Sequence, residues 1–417
     1  MKQNWFEKFY QRHFEDWSNI SGSELLNFIL PKAETIITEK ELTEKLNSGK
    51  KLKIKFGIDP TGAQIHLGHV VPIMLLRQFL RAGHDIDFII GDFTARIGDP
   101  AGRTTERVPL TSNQIDDNQK NYEQQIARFI DLDKIRVHRN SSWLTQVSLE
   151  DLISILQTVS AKEALQRDDF RQRLKKNEGL SLAEIIYGVL MGLDSLELKN
   201  DIEVGGIDQL LNFQQCREVM AATGLEKETV ITTPLIEGLA GDGQKMSKSL
   251  DNHIPLEAPA DEKFGLIMSA PDNLITQYTR SWADINQEEL TDWNNFILSD
   301  PLEAKKQLAS YLVAIEAKNP EAGVTARENF ERKFSQKVLK EEDYITIKTG
   351  DGTTIFSALA NSDQFSSNNQ LRRLFQETAI RLITENNEEE ILEPDFVITK
   401  NINLRAGKTL FLKIKID

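Results

Sequence analysis

Two short stretches carry residue types suited to chemistry on a polyanion. The first, KFGIDPTGAQIHLGH, spans residues 55 to 69 and sets His66 and His69 three positions apart. The second, QKMSKSLDN, spans residues 244 to 252 and places Lys245 and Lys248 just after the glycine-bearing EGLAGDG. Histidines near the first turn of a helix meet free backbone N–H groups and the positive end of the helix dipole, a combination that favours an anion. Lysines on a mobile, glycine-flanked loop suit a polyphosphate whose charge moves during reaction. Taken singly, neither stretch requires a function: a capped helix with two surface histidines, or a lone K-x-x-K on a solvated loop, needs no further account. Their occurrence in one chain points to phosphate handling.

Other chemistries fit less well. His66 and His69 share a helical face and could ligate a metal, but no H-E-x-x-H pattern surrounds them and no third ligand suggests itself, which ranks metal below phosphate. GDPAGRT, residues 98 to 104, lacks the lysine and the spacing of a G-x-x-x-x-G-K-[ST] loop, which argues against a Walker-type nucleotide site. Asp99 in that loop could bind an ammonium group or cap a turn. The single cysteine, Cys216, excludes an intrachain disulfide and cysteine-rich zinc arrangements, and its helical surroundings suit a small packing residue.

The elements that must position these residues read as an alternation of strands and helices. Leu52, Ile54, Phe56 and Ile58 alternate with charged or small neighbours, a strand signal. IHLGHVVPIMLLRQFLRAGH follows as a helix closed by Gly83, and DIDFIIGD has the short apolar run of a strand buried on both faces. Helical DNQKNYEQQIARFI, strand-like KIRVHRN, a long helical stretch from about Leu149 to Leu198, and the strand candidates DIEVGG and TVITTPLI continue the pattern. This predicts an α/β fold, a parallel sheet flanked by helices, with the HLGH segment at the carboxyl end of the first strand, where such sheets place ligands. Residues 1 to 50 read as helical, about 260 to 345 as helices without strands, and the remainder as a small region with helical QLRRLFQETA and strand-like TLFLKIKI. The 417 residues suggest two or three domains. A net charge of −14 argues against coating nucleic acid with the whole surface, although a local basic face is still able to hold RNA. No apolar run is long enough to span a bilayer, and the N-terminus lacks the continuous apolar core of a secretory signal, so a cytoplasmic location is expected.

HLGH after a first strand and KMSKS after a last one resemble the two signatures of class I aminoacyl-tRNA synthetases. GIDPTGAQIHLGH, GDFTARIGDPAG, YGVLMGLD and VGGIDQLLN are similar to the tyrosyl-tRNA synthetase subgroup, over about residues 50 to 255. The resemblance implies ATP, accompanied by Mg2+, and tyrosine as substrates, tyrosyl-adenylate as intermediate, and tRNA as acceptor. It implies four regions: an N-terminal helical extension (1–50), a Rossmann-like catalytic domain with a helical dimerisation insertion (51–260), a helical anticodon-recognition-like domain (261–348) and a small α+β RNA-binding-like domain (349–417). It assigns phosphate chemistry to His66, His69, Lys245 and Lys248. ATP binding extends to Gly57, Asp59, Thr61, Gly206, Asp208 and Met246, and amino-acid binding falls to Lys55, Asp99, Tyr187, Met191, Asp194 and Gln209. Asp194 would accept the substrate hydroxyl, Asp99 and Tyr187 would hold the α-ammonium, and a homodimer is expected. Three positions depart from the family pattern: Met191 for a usual glutamine, Leu193 for a usual tyrosine, and Ile207 for a small or hydroxyl residue. They predict a greasier pocket and motivate one alternative, a paralogue activating another amino acid for a biosynthetic pathway; a second alternative, a non-catalytic RNA-binding descendant, has the complete phosphate-handling set against it. Arg372 and Arg373 in SSNNQLRRLF resemble the phosphate-facing arginines of a small RNA-binding domain, and a solvated helix explains them equally well.

Overall fold

The computed structural model describes residues 4–60, 65–99, 111–336, 338–365, 367–384, 389–407 and 410–417. The chain divides into two compact units, Met1–Ala258 with Ala270–Pro320, and Pro259–Ser269 with Glu321–Asp417.

The first unit is built on a six-stranded sheet of β1 (Thr35–Ile37), β2 (Lys53–Ile58), β3 (Asp85–Ile90), β4 (Arg136–Arg139), β5 (Ile202–Gly206) and β6 (Thr229–Thr233), in the order β1-β6-β5-β2-β3-β4. Every pairing is parallel except that of the edge strand β1, which runs antiparallel to β6 with Ile36 opposite Ile231. β6 is buried at every position and β3 at all but its first, as strands covered on both faces require. The chain builds outward from β2 through β3 and β4, then returns to lay β5 on the other side of β2. The crevice beyond the carboxyl ends of β2 and β5 is therefore a topological switch point, the place where open parallel sheets hold ligands.

Two readings of the sequence are corrected here. Residues 1 to 50 contain the helices Trp5–Phe14, Gly22–Ile29 and Glu39–Leu46 but also β1, which at three residues is too short to display an alternation. The stretch from Leu149 to Leu198 is not continuous. It resolves into the helices Leu149–Leu156, Ala161–Ala164, Asp168–Lys175, Leu182–Ile185 and Tyr187–Leu198, with Asn177 in the left-handed region (φ 56°) at one break.

The helix Leu67–Arg81 leads from the switch point into the core. Its far end is pinned by a buried ionic cluster centred on Asp284, which accepts from Arg77, from Gln78 Nε2 at 3.0 Å and from Arg81 at 2.9 Å. Arg77 and Arg81 also donate to the main-chain carbonyls of His13 and Arg12, which lie on the helix Trp5–Phe14. Burial alone would raise the Asp284 carboxyl, but the surrounding Arg77, Lys32 and Arg81 outweigh it and hold the group well below the usual range. Among the described residues no helix is long and apolar enough to cross a membrane.

In the second unit β7 (Ile345–Thr349), β8 (Ile380–Ile383), β9 (Glu389–Ile391), β10 (Ile402–Ala406) and β11 (Leu410–Ile416) form a sheet in the order β7-β11-β10-β8-β9, antiparallel apart from β7 on β11. Leu371 and Phe375 of the helix Asn368–Gln376 pack on Ile380, Leu404 and Leu412 to form its core.

Candidate active site

His66 is the N-cap of the Leu67–Arg81 helix. Its Nδ1 accepts the main-chain N–H of Gly68 at 3.1 Å, and Nδ1 of His69 accepts the main-chain N–H of His66 at 3.3 Å. Because both Nδ1 atoms accept, both rings carry their proton on Nε2. The two rings lie 4.0 Å apart between centroids, with the His253 ring 5.8 Å from that of His66. Burial, then the neighbouring His69, pulls His66 down to about 2, and burial pulls His69 down to about 4. Both are neutral donors at physiological pH, aimed from a helix start at which an anion is favoured. Gly68 is required by proximity: a Cβ there would sit 2.9 Å from the His66 ring and 3.8 Å from Cβ of Met246.

That last contact joins the two sequence signatures. The lysine loop is closed on itself by Asn252, which accepts the Ser247 N–H at 2.8 Å and donates to the Lys245 carbonyl at 3.2 Å. Met246 is buried and its N–H donates to the Ile236 carbonyl at 2.6 Å. Lys245 and Met246 thereby reach the same cavity as His66 and His69, a space of about 440 Å³ at the switch point. Lys248 is not among the lining residues, yet its positive charge is felt at both histidines.

The cavity is also lined by four carboxylates, Asp194 buried and Asp59, Asp99 and Asp208 half-buried. Asp59, just past β2, accepts from Thr94 Oγ1 at 2.7 Å and from the Tyr187 hydroxyl at 3.0 Å. Gly91 makes this possible, since a Cβ there would lie 2.1 Å from Asp59 Oδ1 and 2.3 Å from Thr94 Oγ1. Burial lifts the Asp59 carboxyl to about 7, against the pull of the Thr94 hydrogen bond. Asp99 accepts from Gln209 Nε2 at 2.5 Å. Asp194 accepts from Trp143 Nε1 at 2.8 Å and from Asn140 Nδ2 at 3.4 Å, and burial raises it to about 6 while Lys55 draws it back. Asp208, beyond β5, is also raised by burial, and Gly206 leaves room for its carboxylate, which a Cβ would approach to 2.5 Å.

Lys55 forms the floor. Its ammonium has three N–H groups and three partners: Glu203 at 2.7 Å, Ser195 Oγ at 2.7 Å and the Met191 carbonyl at 3.0 Å. Burial opposes its charge, but Glu203 overcomes this and keeps the ammonium protonated. Beneath it Glu203, Cys216 and Glu228 bring their ligand atoms within 4.8 Å of one another. Oε2 of Glu203 and Oε1 of Glu228 are buried and find no donor among the described groups. Burial and then Glu228 push Glu203 far above the usual range, and a proton held by Glu203 and turned to Glu228 satisfies both oxygens. The adjacent ammonium balances the remaining charge, so a proton suits the cluster better than a second cation.

Lys55, Gly57, Asp59, His66, His69, Asp99, Tyr187, Met191, Asp194, Gly206, Asp208, Gln209, Lys245 and Met246 all line the one cavity. Thr61 falls outside the described residues, as do residues 100 to 104 of the GDPAGRT loop. Of the three departures from the family pattern, Met191 lines the cavity, whereas Leu193 and Ile207 do not. Leu193 packs instead with Leu144 and Leu190 in a separate apolar cluster, so the expected greasier pocket is limited to Met191. Thr94, Asn140, Trp143, Glu203 and Asn252 were missed in the sequence, where nothing in their local context distinguishes them from ordinary polar residues.

The sequence matches the family described as "tRNA synthetases class I (W and Y)" over residues 47–335. A protein of Syntrophotalea carbinolica named tyrosine–tRNA ligase is 36% identical over 405 residues, covering 95% of this chain and 98% of that one. One of the same name from Coxiella burnetii is 36% identical over 404 residues, with 95% and 100% covered. Among solved structures, a C-terminally truncated mitochondrial tyrosyl-tRNA synthetase of Aspergillus nidulans superposes with a TM-score of 0.61 at 20% identity, covering 79% of this chain and 99% of that one. A tyrosyl-tRNA synthetase of Archaeoglobus fulgidus complexed with L-tyrosine gives 0.58 at 23% identity, with 74% and 100% covered. At such identities the superpositions speak to the fold.

Proposed function

The chain belongs to the class I tRNA synthetases of the W and Y family, and from that premise we propose that it activates tyrosine with ATP and transfers the tyrosyl group to tRNA(Tyr). It is an aminoacyl-tRNA ligase. One observation supports this reading above the others: the neutral histidine pair, the Lys245–Met246 turn and the Asp194 carboxylate all face one cavity at the sheet's switch point.

The reaction needs no protein nucleophile. An oxygen of the substrate carboxylate attacks the α-phosphorus of ATP, the bond from that phosphorus to the bridging oxygen breaks, and pyrophosphate leaves with the bonding pair. A hydroxyl of the terminal ribose of tRNA then attacks the adenylate's carbonyl carbon and expels AMP. Placement and charge stabilisation are the protein's contribution. In this proposal Nε2–H of His66 and His69 donates to phosphate oxygens, and Lys245 and Lys248 neutralise the departing pyrophosphate. Gly57 and Gly206 allow close approach of the nucleotide, Asp208 accepts from its ribose hydroxyls, Asp59 and Thr61 belong to the same ATP-binding set, and Met246 packs against the nucleotide. ATP enters as its Mg2+ complex, the metal neutralising phosphate oxygens without a dedicated protein cage. Asp99 and Tyr187 hold the α-ammonium, Gln209 meets the substrate's main chain, Met191 forms a wall and Lys55 the floor. Asp194, already held as an acceptor by Trp143 and Asn140, takes the substrate hydroxyl.

The exposed apolar residues Leu149, Ile153 and Leu182, at 72%, 47% and 79%, lie in the helical insertion and suit a symmetric homodimer, which light scattering would reveal. Residues 261–348 and 349–417 fit anticodon recognition and RNA contact, and a cytoplasmic setting suits these substrates. Tyrosine-dependent exchange of pyrophosphate into ATP is the test, and a flat assay with tyrosine refutes the reading. Met191 supports one other reading, activation of a different amino acid, because a thioether in that wall neither donates nor accepts well. The same assay over a panel of amino acids separates the two.

A further inference from the structure

Behind the amino-acid end of the cavity, four side chains form a hydrogen-bonded chain with a fixed direction. Arg167 Nη1 donates to Asn212 Oδ1 at 2.7 Å, Asn212 Nδ2 donates to Gln209 Oε1 at 2.8 Å, and Gln209 Nε2 donates to Asp99 Oδ2 at 2.5 Å. A guanidinium only donates, so Asn212 turns its oxygen to Arg167 and its N–H to Gln209, which in turn gives its own N–H to Asp99. Both amides between them are therefore locked in one orientation, with no freedom to flip. Arg167 is 6% and Asn212 2% exposed, and neither lines the cavity. The guanidinium is further seated over the Phe170 ring, 4.9 Å from its centroid. Asn212 sits on the helix Leu210–Ala222, one turn beyond Gln209, so the helix itself sets the spacing of the two amides.

The position of this chain matters because of Met191. With a thioether in the wall, an ammonium group entering the cavity depends on Asp99 and the Tyr187 hydroxyl for acceptors, and the oxygen of Gln209 already accepts from Asn212. We propose that Arg167 and Asn212 are positioning residues for the substrate's α-ammonium group, acting through Gln209 to aim the Asp99 carboxylate. The inference rests on the reading of the cavity as an amino-acid-activating site. In the intact chain Gln209 presents N–H to Asp99, fixing one oxygen and orienting the carboxylate. An aspartate in place of Asn212 has no N–H to give. It would face the Gln209 oxygen with like polarity, turn the amide over, and set a carbonyl against Asp99.

The experiment compares wild type with Asn212→Asp, using two ligands that differ only in the ammonium group. One is tyrosine, read as KM in pyrophosphate exchange, and the other is 3-(4-hydroxyphenyl)propanoate, read as a competitive inhibition constant. Hydrogen bonds to charged groups contribute enough that KM for tyrosine should rise about ten- to a hundredfold. KM for ATP and the inhibition constant of the desamino ligand should stay near wild type. A defect of general packing weakens both ligands together, and that result, or an unchanged KM for tyrosine, overturns the proposal. Should Asn212→Asp fail to fold, Arg167→Met carries the same comparison from the far end of the chain, with Arg167→Lys, which keeps a donor, expected to restore part of the tyrosine affinity. A wild-type protein that exchanges with another amino acid overturns the tyrosine reading alone, and the comparison is then made with that amino acid and its desamino form. A wild type that activates none overturns both.

Discussion

Replacing Lys55 with methionine removes the ammonium paired with Glu203 at the floor of the cavity. Lys55 and Glu203 are each 1% exposed and 2.7 Å apart, so the variant leaves Glu203 and Glu228 buried together without a counterion. Breaking a buried pair by removing one partner costs about 3–5 kcal/mol, roughly 5–8 °C in the melting temperature of a unit this size. The cost should depend on pH with a definite sign. In the variant the folded carboxyl pair relieves its repulsion by taking a second proton, which the unfolded chain gives up above its ordinary carboxylate range. Between those two limits the folded state binds more protons than the unfolded, so stability falls as pH rises. The deficit of Lys55→Met against wild type should be small at pH 5 and large at pH 8, by thermal unfolding followed with circular dichroism. Adding Glu203→Gln and Glu228→Gln together removes the stranded charge and should recover more than half of the loss at pH 8. A Lys55→Met protein as stable as wild type at pH 8, a deficit that ignores pH, or a combined variant no better than the single one would refute the reasoning.

Gly91→Ala should lower kcat/KM for exchange at least tenfold and stability by about 1–3 kcal/mol, because the new methyl lies 2.1 Å from Asp59 Oδ1 and must displace it; unaltered kinetics would show that Asp59 is not held where the site needs it. For the ligand-free protein, Asp59 ionises with a pKa raised by burial to about 7, so its ionisation costs stability that is absent near pH 4 and fully present above pH 7. Asp59→Asn should therefore melt higher relative to wild type at pH 8 than at pH 5 while losing exchange activity, and an equal difference at both pH values would count against the shift.

The parts of this site that are legible in the sequence are those in which neighbouring residues act together. HLGH places two rings by its own capping geometry, and β2, β3, β5 and β6 announce themselves by alternation or by apolar runs. β1 does not, because three residues cannot show a period. Helical phase explains the fate of the unusual positions. Tyr187, Met191 and Asp194 stand at i, i+4 and i+7 and face the cavity together, while Leu190 and Leu193 turn to the adjacent side and an apolar cluster. That phase was available from the sequence, and Leu193 could have been set aside on it. Glu203, Trp143, Asn140 and the Arg167–Asn212 pair were not available, since each meets its partner from an element remote in the chain. No local pattern records which strand will lie beside which.

The helix that begins at His66 has its other end clasped by the first helix of the chain. Arg77 and Arg81 hold the carbonyls of His13 and Arg12, with Asp284 as counterweight. The imidazoles are thus the tip of a lever whose handle, the helix Trp5–Phe14, is not among the residues that line the cavity. Trimming that segment, or fusing a bulky tag against it, would misalign the tip and register as lost turnover. Such a loss would testify to leverage, and would be misread as evidence that the first residues take part in the reaction.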